Sequence, residues 1–274
     1  MAAETTGSFE IGRVLAVLRA SSVSPDILAC VVDVAARLDA ELEALVLLDP
    51  NLLTLAELPF ALQMVPHHPG PRPLRRNELE LEFKAIMGGA RRRLETLAAA
   101  RGVRWSLRTL HARPVEALVA AAEQADLLVI EAGARLAGRA IRPHIALPAL
   151  IAGISRPVLL VPPGRRAGGP IYVVADPGVD SVRALQAARC LARQFATQLT
   201  VLRPPPEAER HRHPPLDARA AAGPGPLTGA AALNRLLAEV GTGILVMPAL
   251  SRWLEEPGAF DRLARAAATI VLTR

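Results

Sequence analysis

Lysine is nearly missing from this chain. Lys84 is the only one, so the formal net charge of +6 rests on arginine. The arginines are scattered through helix-like segments instead of being gathered in one tail, which argues against a nucleic-acid arm. An anionic partner drawn by the general field is the alternative reading of the charge. The densest run, Arg91-Arg92-Arg93, would spread around most of a helix and is expected to be a solvated face. Aromatic residues make up only 3% of the chain, too few for the stacking platforms that hold single-stranded nucleic acid. There are two cysteines, Cys30 and Cys190, both within helix-like segments, and each is expected to be a reduced, buried thiol instead of part of a disulfide framework. No window approaches the roughly 20 consecutive apolar residues of a membrane span. The opening "MAAETTGSFEIGR" lacks the layout of a secretory leader, so a cytoplasmic location is expected.

What is present is ample core material: 51% of the 274 residues are hydrophobic, enough for one large domain or two small ones. From Arg13, "RVLAVLRA" reads as a strand. "SPDILACVVDVAARLDA" reads as a helix with Ser24 as N-cap and Pro25 in the first turn, and "ELEALVLLD" as a second strand. The stretch "NLLTLAELPFALQMVPHHPGPRP" is irregular and Pro-rich, and "LRRNELELEFKAIMGGARRRLETLAAARG" has helical spacing. Strand "VRWSLRTLHA", helix "RPVEALVAAAEQA", strand "DLLVIEA", helix "IALPALIAGIS" and strand "RPVLLVPP" follow. Such alternation implies a parallel sheet with helices on both faces.

After "PPGRRAGGP" the pattern restarts. A shift of 157 places Val14 on Ile171, Val17 on Val174, Val34 on Leu191, Leu38 on Phe195 and Leu42 on Leu199 without a gap. Further on the shift falls to 117, pairing Ile130 with Met247, so 40 residues are missing from the middle of the second half. They correspond to the Pro-rich segment and the long helix. In their place stands "RPPPEAERHRHPPLDARAAAGPGPLTG", too rich in proline, glycine and charge for a buried helix. A parallel sheet needs both faces covered. The expected cover for the shortened half is either the apolar "NLLTLAELPFALQMVP" or another subunit.

On these elements, from "SPDILACVVDVAARLDAELEALVLLDP" and "VDSVRALQAARCLARQFATQLTVL" to the closing "RPVLLVPP" and "ATIVLTR", the chain resembles the universal stress protein family in tandem form. The resemblance implies two doubly wound parallel-sheet domains of strand order 3-2-1-4-5, at 9–164 and 169–274, the second truncated and lacking one helix. Members that bind ATP have an Asp after the first strand and a G-x2-G-x9-G-[S/T] segment after the fourth, whose glycines let backbone N–H groups reach phosphate at a helix N-terminus. With Pro157 placed at the start of the fifth strand, the four motif positions fall on Glu131, Ala134, His144 and Ile145, none of which matches. Gly133 and Gly138 are out of register, Pro143 constrains the loop, and Arg19 stands in place of the Asp. In the second half Asp176 keeps that Asp, Pro248 replaces the first Gly, and Gly258-Ala259 stand for the final Gly-Ser/Thr. Asp176 can equally be a turn residue before Pro177, and Gly258 the turn before the last helix.

His67-His68 and His211 with His213 lie in Pro-rich loops with no cysteine or paired carboxylate at ligand spacing, so no metal site is expected. His144 and Glu131 could form a new polar site at the carboxyl end of the sheet, although a loop histidine and an exposed glutamate are the simpler reading. No G-x-S-x-G elbow or other carrier of enzyme chemistry is visible. The resemblance, with its ligand positions replaced, implies a non-catalytic stress-response protein that has lost ATP binding, needs no cofactor and acts through protein–protein contact. The partner expected is an unidentified protein or a second copy of the chain, and not a membrane or nucleic acid. The alternative is an adenine nucleotide or another small ligand in a residual pocket at Asp176, Pro248, Gly258 and Ala259.

Overall fold

In a computed structural model, residues 10–20, 23–48, 50–64, 70–111, 114–132, 147–175, 181–202, 229–251, 254–255 and 258–274 are described. The chain divides into two compact units, Met1–Ala167 and Gly168–Arg274.

The first unit opens with β1 (Arg13–Arg19), α1 (Pro25–Leu38) and β2 (Glu41–Leu48). Helix α1 starts where the sequence asks it to. The Ser24 hydroxyl accepts from the Ile27 N–H at 3.2 Å, and Pro25, which has no N–H to lose, sits at the first turn. Ile27, Val31, Val34 and Leu38 form one buried stripe. The helix stops at Asp39, whose φ of 52° turns the chain into the left-handed region, and the Ala40 N–H closes the cap on the Ala35 carbonyl at 2.9 Å.

The segment expected to be irregular contains a short helix, α2 (Pro50–Leu55), and a two-stranded antiparallel pair, β3 (Leu62–Gln63) and β4 (Arg72–Pro73). Within it Leu58, Phe60, Leu62 and Met64 are exposed, whereas Leu52, Leu53 and Leu55 are half-buried. Helix α3 (Arg76–Ala99) buries only Ala90, Leu94 and Ala98, all in its second half, while Arg91, Arg92 and Arg93 are exposed on its surface. Its first turns carry surface ion pairs of Arg72 with Glu78 and of Arg76 with Glu57 and Glu80, the kind that adds little to stability. Strand β5 (Trp105–His111), α4 (Pro114–Ala122), β6 (Leu127–Glu131), α5 (Leu147–Gly153) and β7 (Val158–Val161) complete the unit. All five main strands run parallel in the order β5-β2-β1-β6-β7, the expected 3-2-1-4-5. Helix α3 packs on α1, and α4 on α5. Strand β6 from Leu127 to Ile130 and all of β7 are apolar because residues on both of their faces are buried.

The second unit comprises β8 (Ile171–Val174), α6 (Val182–Gln194), β9 (Leu199–Leu202), α7 (Gly229–Val240), β10 (Ile244–Pro248), α8 (Ala259–Arg265) and β11 (Thr269–Thr273). Its strands are parallel in the order β9-β8-β10-β11. In the numbering of the first unit this is 2-1-4-5. Among the described residues, therefore, not only the long helix but also the third strand has no counterpart. The repeat otherwise holds at atomic detail. Ala196, 157 positions after Asp39, is the other non-glycine residue with positive φ among those described, at 49°, and the Thr197 N–H bonds the Ala192 carbonyl at 3.0 Å just as Ala40 bonds Ala35.

No described helix is long and apolar enough to cross a membrane. Both cysteines are buried, and neither forms a disulfide. Burial pushes the Cys30 thiol from 9.0 up to about 11, against a smaller opposing effect of its hydrogen bond with the Ala167 backbone. The raised value means that the native state holds the thiol proton more tightly than the unfolded chain. Its contribution to stability is whole below about pH 9 and is lost as pH rises through about 11. We expect Cys30 to resist a water-soluble disulfide reagent at pH 8 in the native protein and to react fully in urea. Rapid native labelling of Cys30, read by peptide mass, would contradict its burial.

Candidate functional site

In open parallel sheets the crevice for a ligand lies beyond the carboxyl ends of the strands, where the strand order reverses. In the first unit that point is between β1 and β6, which pair from Val14 opposite Leu127 to Val17 opposite Ile130. Arg19 ends β1 and Glu131 ends β6, so the topology brings these two positions to the same edge. Glu131 is half-buried and its strand is tied to β7 opposite Val161. The next residue is also committed, since the Ala132 N–H donates to the Val161 carbonyl at 2.7 Å. Glu131 is the position at which the resemblance expects the first glycine of the phosphate segment. Ala134, His144 and Ile145, with Gly133, Gly138 and Pro143, lie outside the described residues.

In the second unit the switch point is between β8 and β10. Asp176 lies outside the described residues, as do His67, His68, His211 and His213. Pro248 is the last residue of β10, buried and opposite Thr273 of β11, and as a proline it has no N–H for a phosphate. The donors that follow it are used inside the protein. The Ala249 N–H reaches the Thr273 carbonyl at 2.6 Å, the Ser251 N–H the Pro248 carbonyl at 3.1 Å, and the Leu254 N–H the Ser251 carbonyl at 2.8 Å. Ser251 is fully buried at the centre of this turn. Its place in the site was not legible in the sequence, because nothing in "MPALSRW" marks a turn closed on its own backbone.

Gly258 does have the conformation that a glycine supplies, with φ at 76°, immediately before α8. Ala259 is buried and has no hydroxyl with which to hold a phosphate or a cation. The seven-residue helix carries Asp261 in its first turn, which opposes an anion there. Arg262 turns back towards the glycine: a Cβ added at Gly258 would lie 3.6 Å from its guanidinium Nη1. The structure thus places Pro248, Gly258 and Ala259 around the end of β10 and the start of α8, but the N–H groups of Ala249, Ser251 and Leu254 already have partners. Among the described residues no group of three or more His, Cys, Asp or Glu side chains is arranged to hold a metal.

No family model matches the sequence, and no curated protein matches it. The fold does have counterparts among solved structures. A universal stress protein of Archaeoglobus fulgidus DSM 4304 superposes with a TM-score of 0.57 at 10% identity, covering 95% of this chain and 98% of its own. A protein of Pseudomonas aeruginosa UCBPP-PA14, provisionally assigned to the same family, gives 0.56 at 15% identity over 97% and 94% of the two chains. A functionally unknown protein of P. aeruginosa PAO1 gives 0.57 at 14% identity over 97% and 93%. Since each likeness spans nearly the whole of both chains, the architecture is that of the universal stress proteins in two-unit form.

Proposed function

We propose that this chain is a non-catalytic, cytoplasmic stress-response protein of the universal stress type that does not bind ATP and acts through contact with another protein. The observation that carries the reading is the turn after β10, where Pro248 offers no donor and the N–H groups of Ala249, Ser251 and Leu254 are satisfied internally. A phosphate would have to displace hydrogen bonds that the folded chain already makes. Glu131 supports the same reading in the first unit by charge.

Gly258 favours a second reading, in which the second unit still holds an adenine nucleotide or another small ligand between Asp176, Pro248, Gly258 and Ala259. Thermal unfolding with ATP, ADP and magnesium separates the two. A ligand that binds only the folded state at 100 times its Kd stabilises by about 2.7 kcal/mol, a rise in Tm of several degrees. No shift at millimolar nucleotide is the expected result. A saturable rise that disappears in Asp176→Ala would replace our reading with the second one.

A further inference from the structure

The two units provide an internal comparison of one surface, covered in the first and without a cover among the described residues in the second. In the first unit the outer edge of β2 is paired with β5 from Leu42 opposite Trp105 onwards, and the Leu42 N–H takes the Arg104 carbonyl at 2.9 Å. The counterpart of β2 is β9, an edge strand with no outer neighbour among the described residues. The direction of its free groups follows from its inner bonds. The Gln198 and Leu202 carbonyls accept from Ile171 and Ala175 on the β8 side, so by the alternation of a parallel strand Leu199 and Val201 aim both N–H and C=O outwards. Leu42 and Ala44 are fully buried, whereas their counterparts Leu199 and Val201 are half-buried and 45% exposed.

The helix on this face, α6, which packs chiefly over β8 and β10 and also meets β9, differs in the same sense. On α1, Val32 lies about 100° around from Val31 and off the sheet-facing stripe, yet it is fully buried. On the other flank Cys30 meets the backbone of Ala167, which leaves α3, packed along α1, as the cover on the Val32 side. The counterparts of Val32 and Ala36 on α6 are Arg189 and Arg193. Both are exposed, neither has an ion-pair partner among the described residues, and α6 carries no acidic residue. Where the first unit places valine and alanine beside a covering helix, the second places two cations one helical turn apart on the corresponding flank of α6, and the outer edge of β9 has no partner strand among the described residues.

We infer that the β9 edge with Arg189 and Arg193 is a docking site for an extended, acidic segment of a partner protein, which adds as a strand outside β9 and sets carboxylates beneath the two guanidinium groups. Backbone bonding to Leu199 and Val201 supplies the generic part of recognition, and charge supplies the selective part. A second copy docking through the same surface would bring arginines against arginines across the twofold axis, so the charge favours a different partner. This inference rests on the proposed action through protein contact and names the surface.

The probe is a capped octapeptide alternating valine with glutamate, followed by fluorescence anisotropy on the full chain, with a valine–lysine counterpart. The glutamate peptide is expected to bind at least about tenfold more tightly than the lysine peptide, and Arg189→Glu with Arg193→Glu to reverse the preference. Methylating the amide nitrogens along one edge of the glutamate peptide is expected to weaken binding by about tenfold or more without altering the protein at all. Val201→Pro, which removes an outward N–H, should do the same. Failure of the glutamate peptide to bind, indifference to the methylated backbone, or a preference unmoved by the charge reversal would each overturn the inference. So would self-association through this edge, read by sedimentation and dispersed by Val201→Pro. None of these failures restores nucleotide binding, so thermal unfolding with ATP remains an independent test of the function proposed above.

Discussion

Val32→Arg is expected to destabilise the first unit by about 3–5 kcal/mol, because it forces an unpaired guanidinium into a fully buried position between α1 and its covering helix. The substitution writes into α1 the residue that α6 carries naturally at the equivalent place. The reciprocal change, Arg189→Val, removes an exposed charge and should move stability by no more than about 0.5 kcal/mol. Hydrogen exchange followed by peptide mass can assign the effect to residues of Met1–Ala167 or of Gly168–Arg274, which one unfolding curve of a two-unit chain does not do. Comparable losses from the two substitutions would mean that the flank of α6 is covered as the flank of α1 is, and the docking surface would fall with it.

Gly243→Ala is expected to cost the second unit about 3 kcal/mol, a large effect for one added methyl group. An added Cβ would stand 2.6 Å from the Pro170 carbonyl oxygen, 3.2 Å from the Val240 carbonyl and 3.1 Å from the Tyr172 ring. Neither carbonyl can move freely. The Pro170 oxygen accepts from the Ile244 N–H and the Val240 oxygen from the Gly243 N–H, each at 3.0 Å, so relief of the clash breaks the bonds that start β10. The corresponding position of the first unit is Asp126, which meets the same structural need by other means. Its carboxylate accepts from the Gly12 and Arg13 N–H groups at 3.0 Å each, holding the start of β1. Urea unfolding of Gly243→Ala with an unchanged midpoint would show that this close approach is not maintained in solution.

Much of the fold was legible because its signals are local. The Ser24 cap, the apolar stripe from Ile27 to Leu38 and the apolar runs of β6 and β7 each depend on spacing within one element, and the shift of 157 carried them into the second half. The fall of the shift to 117 marked the missing piece. What escaped was short or conditional on distant partners. Helix α2 and the β3–β4 pair are too brief to impose a period, and they form in a segment that reads as irregular. The absence of a third strand from the described part of the second unit is not legible in that shift, because the 40 missing residues match the Pro-rich segment and the long helix.

The candidate site divides the same way. Alignment of the chain with itself and with the expected motif could reach the residue types at Arg19, Glu131, Pro248 and Gly258, since these are statements about which group occupies which place. The bond of the Ala249 N–H lies beyond it, because its partner, the Thr273 carbonyl, comes from strand β11, remote in the sequence.

The sequence by itself determined a twofold repeat of parallel strands and helices and a shortened second half. Hydrophobic periodicity, caps and residue identity are properties of neighbours along the chain, and they need no fold to be read. Only the tertiary structure decided which backbone donors after β10 are already spent, that Leu199 and Val201 face outwards, and that Arg189 stands where α1 buries a valine. Hydrogen-bond direction and burial arise between segments far apart in sequence, so they exist only once the sheet has been assembled.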